Sequence, residues 1–275
     1  MASVLITGTS KGIGLETALA FARAGHQVYA TMRNPSQSPA LAETAAREKL
    51  PITISKMDVD SDQSVSNAIA AIQKNGPIDV LVNNAGIEGV GPVEEFPLAI
   101  METNYFGALR CIQAVVPEMR QRRSGTIINV SSVAGRICPP PLTSYCASKW
   151  ALEALSEGLA GELKTFNLRV AIVEPGIIDT SMAQRIGDPA PGSPYGQTAR
   201  FSALYSKSLE HPVPPSLVAE KNLEVAQSDS WQLRYPVGPD AVGFLEWRKG
   251  MSDEEWIEMN AGDDESFFAK LSEAG

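Results

Sequence analysis

The chain has 275 residues, 44% of them hydrophobic and 20% charged, enough to bury a sizeable core and too apolar for a disordered or fibrous protein. Its net charge of −9 is local, because residues 251–275 hold eight acids and one lysine and so account for −7 of it. The nearly neutral body excludes a nucleic-acid footprint, an acidic end repels phosphate backbones, and solubility is the expected role of that end.

Cys111, Cys138 and Cys146 lack metal-site spacing, and neither His26 nor His211 has a cluster to complete one, so no metal is expected. The first strand candidate begins at Ser3, which leaves no room for a signal peptide, and no apolar run approaches the length of a membrane span. These features predict a cytoplasmic protein with no membrane partner.

Taken in order, residues 3–7 form a short apolar run that meets Gly8-Thr9-Ser10-Lys11-Gly12-Ile13-Gly14, followed by a helix with Leu15, Ala18, Leu19 and Ala22 on one stripe. Gly8 permits a tight turn, Gly12 lets backbone approach a pyrophosphate, and Gly14 lets the helix pack close to its strand. A purely structural glycine turn has the same composition. A second strand over 28–32 ends in Arg33 and the turn-prone Asn34-Pro35, where a dinucleotide-binding fold meets the adenosine ribose. An acid there would bind the free 2′-hydroxyl of NAD. Arg33, with Lys11, instead offers charge to a 2′-phosphate, which favours NADP(H) over NAD(H) unless Arg33 is a solvated loop residue.

The alternation continues with a helix over 41–49, a strand over 52–56, Asp58-Val59, and a helix from Ser61 carrying Val65, Ala68, Ile69 and Ile72. Regular strand and helix alternation predicts a parallel sheet covered on both faces. Asp58 suits either an acceptor for an adenine amino group or a turn and cap residue. A fourth strand over 79–82 runs into Asn83-Asn84-Ala85-Gly86, residues small enough for the chain to pass close over a cofactor. A long helix over 98–122 places Asn104 among apolar neighbours, where an amide needs a partner.

The fifth strand, 126–130, delivers Ser131 and Ser132, and after a loop containing Pro139, Pro140 and Pro141 a helix opens on Tyr145. Tyr145 and Lys149, four residues apart, share one helix face. A phenol of pKa about 10 is a poor acid or base near neutrality, and a neighbouring ammonium lowers that value. Ser132, thirteen residues before Tyr145, is placed to hold a substrate oxygen. Alone, Tyr-x-x-x-Lys is an ordinary helix pair; the surrounding residues give it weight. The sixth strand, 169–173, ends in Glu174-Pro175-Gly176.

The ordered set Thr7-Gly8-x-x-x-Gly12-Ile13-Gly14, Asn83-Asn84-Ala85-Gly86, Asn104, Ser132, Tyr145-x-x-x-Lys149 and Pro175-Gly176-x-x-x-Thr180 closely resembles the short-chain dehydrogenase/reductase family over residues 2–182. The resemblance implies hydride transfer between nicotinamide and a carbonyl or alcohol, with Tyr145 as general acid/base, Lys149 lowering its pKa and holding ribose, Ser132 on the substrate oxygen, and Asn104 in a water relay. It implies backbone contacts with the cofactor from Gly8, Ile13, Ala85, Gly86 and Ile178, and a Thr180 contact with the carboxamide or pyrophosphate. With the residues read above, the expected cofactor set is Gly8, Ser10, Lys11, Gly12, Ile13, Gly14, Arg33, Asp58, Val59, Asn84, Ala85, Gly86, Tyr145, Lys149, Pro175, Gly176, Ile178 and Thr180. Cys138 and Cys146 flank the site as small core or loop residues.

Residues 183–232 lose the strand and helix rhythm and carry Pro189, Pro191, Pro194, Pro212, Pro214 and Pro215, with Phe201, Leu204, Tyr205 and Leu209 at helical spacing between them. This stretch is predicted to be a helical substrate cover inserted after the sixth strand. A last strand over 233–237 and a capping-box start at Ser252-x-x-Glu255 complete the chain. The expectation is one doubly wound α/β domain over 1–275, with a central parallel sheet, a cover at 183–232 and an acidic end at 251–275. By resemblance it is an NADP(H)-dependent carbonyl reductase or alcohol dehydrogenase for a small to medium, uncharged, largely apolar substrate, in the branch containing hydroxysteroid and retinol dehydrogenases, and a homodimer or homotetramer. The rivals are a 3-oxoacyl carrier-protein reductase, which lacks a matching basic patch here, and a non-catalytic NADP-sensing module, whose expected mark is loss of Tyr145 or Lys149.

Overall fold

Strands β1 (Ser3–Thr7), β2 (Gln27–Met32), β3 (Ile52–Lys56), β4 (Val80–Asn83), β5 (Gly125–Val130), β6 (Leu168–Pro175) and β7 (Arg234–Val237) form one parallel sheet in the order 3-2-1-4-5-6-7. The structure, a computed structural model, describes residues 1–95, 99–185 and 194–273. The helices of the first half are α1 (Gly12–Arg23), α2 (Ala40–Glu48), α3 (Asp62–Gln73), α4 (Ala99–Met101), α5 (Gly107–Arg122) and α6 (Thr143–Lys164). Those of the second half are α7 (Gln197–Ser208), α8 (Pro215–Gln227), α9 (Pro239–Lys249), α10 (Asp253–Ala261) and α11 (Asp264–Glu273).

The period-2 alternation of each strand sorts the core into two layers. Val4 and Ile6, Val80 and Val82, and Ile128 and Val130 face α1 and α8, where Ala18, Phe21, Val218 and Val225 are buried. Leu5, Leu81 and Ile127 face the opposite way, onto Val65 and Ile69 of α3, Ile112 and Val115 of α5, and Leu159 of α6. A sheet buried on both faces needs apolar residues at both parities, which is why its strands read as nearly continuous apolar runs. The result is the doubly wound α/β fold that the alternation predicts.

The direction in which successive strands are added reverses between β1 and β4, which pair in parallel. From β1 the chain winds outward to β2 and β3, then returns to lay β4 on the other side of β1. The carboxyl ends of these two strands therefore open a crevice, the place where such sheets take ligands.

Two expectations need correction. The helix predicted over 98–122 is interrupted: Leu98 lies outside the described residues, and a π-helical turn at Glu102–Phe106 separates α4 from α5. Such a turn adds a residue to the helical repeat and re-aims the side chains it carries, here Asn104, and hydrophobic periodicity alone does not reveal it. The stretch over 183–232 is also not one cover. Residues 186–193, with Pro189 and Pro191, lie outside the described residues, and α7 supplies a helix beside the site. But α8 is the crossover between β6 and β7, packed on α1 with Val218 and Val225 buried and Asn222 Nδ2 donating to Thr17 Oγ1 at 3.1 Å. Pro214 and Pro215, which read as loop residues, are the cap and first residue of α8, where a missing N–H costs nothing.

The capping box at Ser252 forms as expected, with the Ser252 hydroxyl accepting from Glu255 N at 3.2 Å and the Glu255 carboxylate accepting from Ser252 N at 2.8 Å. The acidic end does more than solubilise. It folds as α10 and α11 and buries Trp256, Met259 and Phe267 against Leu204 of α7 and Trp247 of α9.

Candidate active site

The crevice is built around the turn after β1. Thr7 Oγ1 accepts from Asn84 N at 3.0 Å and Ala85 N at 2.9 Å, while Asn84 Nδ2 donates to Thr7 O at 2.9 Å and Gly8 O at 3.1 Å. These bonds lock the end of β4 against the glycine turn. Gly8 sits at φ +71° and Gly12 at φ +57°, and a Cβ on Gly8 would lie 2.7 Å from Ala85 Cα. Only glycine meets both demands. Lys11 caps α1 with extended backbone, no side-chain hydrogen bond to the helix, and no acid in the first turn. The N–H groups of that turn are thus free of a side-chain acceptor and favour an anion.

Gly14 is constrained by packing, since a Cβ there would strike Gly8 O and Asn84 Nδ2. Gly14→Ala is expected to lower stability by about 1–3 kcal/mol, the usual range for overpacking, and to weaken dinucleotide binding with it. Urea unfolding with and without cofactor checks this; an unchanged midpoint would show that α1 can move away at little cost.

A cleft of about 760 Å³ runs from this turn. Gly8, Ser10, Lys11, Gly12, Ile13, Gly14, Arg33, Asp58, Val59, Asn84, Ala85, Gly86, Tyr145, Lys149 and Thr180 all line it. Arg33 follows β2 and the catalytic candidates surround β5, three strand spacings or about 14 Å away. Arg33 and Lys11 are exposed in the cleft wall, where Arg185 joins them. The Asp58 carboxylate accepts from Asp60 N at 3.2 Å and so closes its own turn while lining the cleft. The free helix N-terminus, the glycine cradle and the cations fit an elongated phosphate-bearing dinucleotide.

Pro175, Gly176 and Ile178 lie outside that lining. Gly176 N donates to Val237 O at 2.9 Å and its α-carbon faces the Asp240 carboxylate, and the Ile178 side chain belongs to the core.

At the catalytic end Tyr145 stands in the first turn of α6, its ring packed with Leu142, Cys146, Phe201 and Tyr205. Burial pushes the phenol well above its ordinary range, the Glu88 carboxylate adds to that, and a hydrogen bond with the Ser132 hydroxyl opposes both. The expected lowering by Lys149 does not appear in this structure. The Lys149 ammonium, 5.7 Å from the Tyr145 ring centre, donates to Val130 O at 2.9 Å. Burial lowers its pKa to about 8, against the attraction of Glu88 and Glu153. Ser132 Oγ, besides meeting the phenol, donates to Pro175 O at 3.3 Å and accepts from Ala134 N at 3.1 Å. Asn104 is fully engaged with protein: its amide oxygen accepts from Ile87 N at 2.8 Å, and its amide nitrogen donates to Ile87 O at 2.9 Å and Ser148 Oγ at 3.0 Å.

Behind Ser132 lies a second, apolar cavity of about 120 Å³, lined by Ile137 and Leu142, by Phe201, Leu204 and Tyr205 of α7, and by Trp247, Trp256 and Phe267. Its outer wall is tied together by Arg200 of α7. This buried guanidinium pairs with Asp264 at 2.7 Å, donates to the carbonyls of Asn260 at 3.3 Å and Gly262 at 2.6 Å, and lies 4.7 Å from the Phe267 ring centre. Trp256 Nε1 donates to Cys138 O at 3.3 Å and joins the wall to the proline loop. Cys146 is buried in the Tyr145 cluster, a free thiol hydrogen-bonded to the free thiol of Cys138.

Sequence reasoning missed Arg185 and Glu88, while Tyr205, read there as part of the apolar face of the cover helix, lines the apolar cavity. Glu88 had a signal: it is the one charged residue in the otherwise small and apolar run 85–93.

The short chain dehydrogenase family model matches residues 2–190, ending before α7. Retinol dehydrogenase 8 of Bos taurus is 42% identical over 77% of this chain and 72% of its own. Estradiol 17-beta-dehydrogenase 1 of Rattus norvegicus is 35% identical over 84% of this chain and 72% of its own. A crystal structure of a short-chain dehydrogenase from Streptomyces avermitilis superposes with a TM-score of 0.78 at 31% identity, over 99% of this chain and 95% of that one. With a sheet wound about the same glycine turn and a Tyr-x-x-x-Lys helix at its carboxyl edge, the chain belongs to the short-chain dehydrogenase family of oxidoreductases.

Proposed function

We propose that this oxidoreductase is NADP(H)-dependent and interconverts a carbonyl and a secondary alcohol on a small to medium, uncharged, largely apolar substrate. One observation carries the reading: Tyr145, Ser132 and Lys149 meet where the long polar cleft adjoins the apolar cavity. The bound nicotinamide supplies or accepts the hydride. In the reducing direction Tyr145 gives its phenolic proton to the carbonyl oxygen; burial keeps that proton in place on the phenol, and the alkoxide that hydride addition leaves, a stronger base than the phenolate, draws it off. Ser132, already bonded to that phenol, holds the same oxygen. Lys149 binds ribose hydroxyls and restores charge balance as the proton leaves. Asn104, clamped to Ile87, keeps the loop over the site in place.

The apolar lining supports a hydrophobic substrate body, and the relatives named for retinol and estradiol point the same way. Among the described residues no helix is long and apolar enough to cross a membrane, and we propose a cytoplasmic enzyme. Pairing of copies through α5 and α6 gains support from Phe106 at the foot of α5 and Trp150 on α6, which are 41% and 51% exposed. This enzyme is proposed to be a homodimer or homotetramer.

The cofactor preference rests on Arg33, which lines the cleft beyond β2 where an NAD enzyme would place an acid. A panel of apolar ketones followed by nicotinamide absorbance is expected to show turnover with NADPH favoured about ten- to hundredfold over NADH, the scale of charge-assisted hydrogen bonds. Arg33→Asp should reverse the order. Equal efficiency with both cofactors would place the Arg33 side chain in solvent, and no turnover of any carbonyl or alcohol would overturn the redox reading itself.

A further inference from the structure

Glu88 has no part in the chemistry above, yet it stands in the same cleft wall as Tyr145 and Lys149. Its position is fixed. Ile87 is bonded on both sides by Asn104, and Gly91 N donates to Pro141 O at 3.2 Å, so both ends of the short loop carrying Glu88 are tied down. The groups that face it are Lys149, Tyr145 and Cys146 from α6 and Tyr205 from α7. Tyr205 lines the apolar cavity, which puts Glu88 where that cavity joins the cleft.

Among the described residues none gives the Glu88 carboxylate a hydrogen bond or an ion pair. The carboxylate keeps some contact with the open cleft, so a ligand donor that enters can take the place of solvent on it. Its pKa is raised to about 7 by loss of solvent, with Lys149 opposing. The carboxyl therefore ionises near neutrality, and once ionised it can only accept hydrogen bonds.

We propose that Glu88 is a specificity-determining residue that accepts a hydrogen bond from a hydroxyl carried by the substrate next to its reacting carbon. The neighbouring Lys149 ammonium disfavours a cationic substituent there, and the apolar cavity takes the rest of the molecule. The preferred substrates are then apolar hydroxyketones and the corresponding diols. This rests on the redox reading above and narrows its substrate class.

The test compares acetophenone with 2-hydroxyacetophenone, two ketones that differ by the hydroxyl alone. For wild type, Glu88→Gln and Glu88→Leu, two readouts are taken: kcat/KM for reduction, and calorimetric binding to enzyme saturated with oxidised cofactor. Wild type should favour the hydroxyketone, and Glu88→Leu should cut the ratio of the two efficiencies about ten- to hundredfold, the scale on which a site built to bond a hydroxyl is impaired by losing that bond. Glu88→Gln, which keeps one acceptor oxygen, should fall between. The preference should also rise as pH passes upward through about 7, where the carboxyl ionises. A ratio unchanged within about twofold in both variants, against a sensitivity of ten- to hundredfold expected for a real bond, overturns the proposal. If wild type reduces neither ketone, binding still decides. Tighter binding of the hydroxyketone that is lost in Glu88→Leu upholds the Glu88 site, the redox reading then resting on the wider ketone panel above, and equal binding overturns the Glu88 site.

Discussion

Tyr145→Phe is expected to lower kcat about 10²–10⁴-fold, the range for loss of a positioned acid, while cofactor affinity stays within about threefold, a change worth less than 1 kcal/mol. The structure explains the separation. The ring of residue 145 packs with Leu142, Phe201 and Tyr205, and phenylalanine fills the same volume. Ser132 loses one partner but keeps Pro175 O and Ala134 N, so the pocket should hold its shape. Steady-state rates and fluorescence titration with NADPH check the two halves. A variant that keeps more than about a tenth of the wild-type rate would move the proton donor to another group, since that loss falls short of the range for positioned acid catalysis.

Lys149→Ala is expected to be worse, because rate and cofactor affinity fall together. Its ammonium is buried on one carbonyl, Val130 O, and removal leaves that carbonyl unpaired as well as the site uncharged. The wild type should also show this group in its pH profile. With the Lys149 pKa lowered to about 8, the side chain is cationic below that pH and neutral above it. Tyr145 stays protonated throughout the range, its pKa being raised by burial, so ketone reduction should hold level up to pH about 8 and decline beyond it. A rate that holds level through pH 9 would mean that the charge on Lys149 is not used, since at a pKa of about 8 most of it is gone by then.

The parallel strands and their order of use were legible because the inner ones are apolar runs ending in small or polar residues, where the motif residues fall, while the edge strands β3 and β7 mix polar with apolar residues. Boundaries shifted by only a residue or two, as with β4, which continues through Asn83, and β6, which continues to Pro175. What escaped had a local cause in each instance. The π turn at Asn104 leaves no mark on periodicity, and the prolines of α8 looked like breakers although they stand at its start, where they are tolerated. Most of the crevice was legible residue by residue, from Gly8 through Lys149 to Thr180, but Glu88 was not, Pro175, Gly176 and Ile178 lie outside it, and its electrostatics did not show. Spacing on a helix shows that Lys149 and Tyr145 share a face; it does not show that the ammonium turns to Val130 O, nor that a carboxylate from a glycine-rich loop sits beside both.

The Arg200 clasp has a consequence for ancestry. The groups proposed to handle hydride and proton all precede residue 150, whereas α7, α10 and α11, which the clasp binds into one wall, come after residue 196. A lineage can therefore exchange the later block, or let it drift, and explore new molecules while the inherited chemistry stays untouched. Drift within the block is less free than its exposed acidic face suggests. Asp264 cannot be lost alone without leaving a buried guanidinium short of its counter-charge. Substitutions at 200 and 264 should thus arrive in pairs along a phylogeny, so that the surface of this wall evolves residue by residue and its seam only in steps.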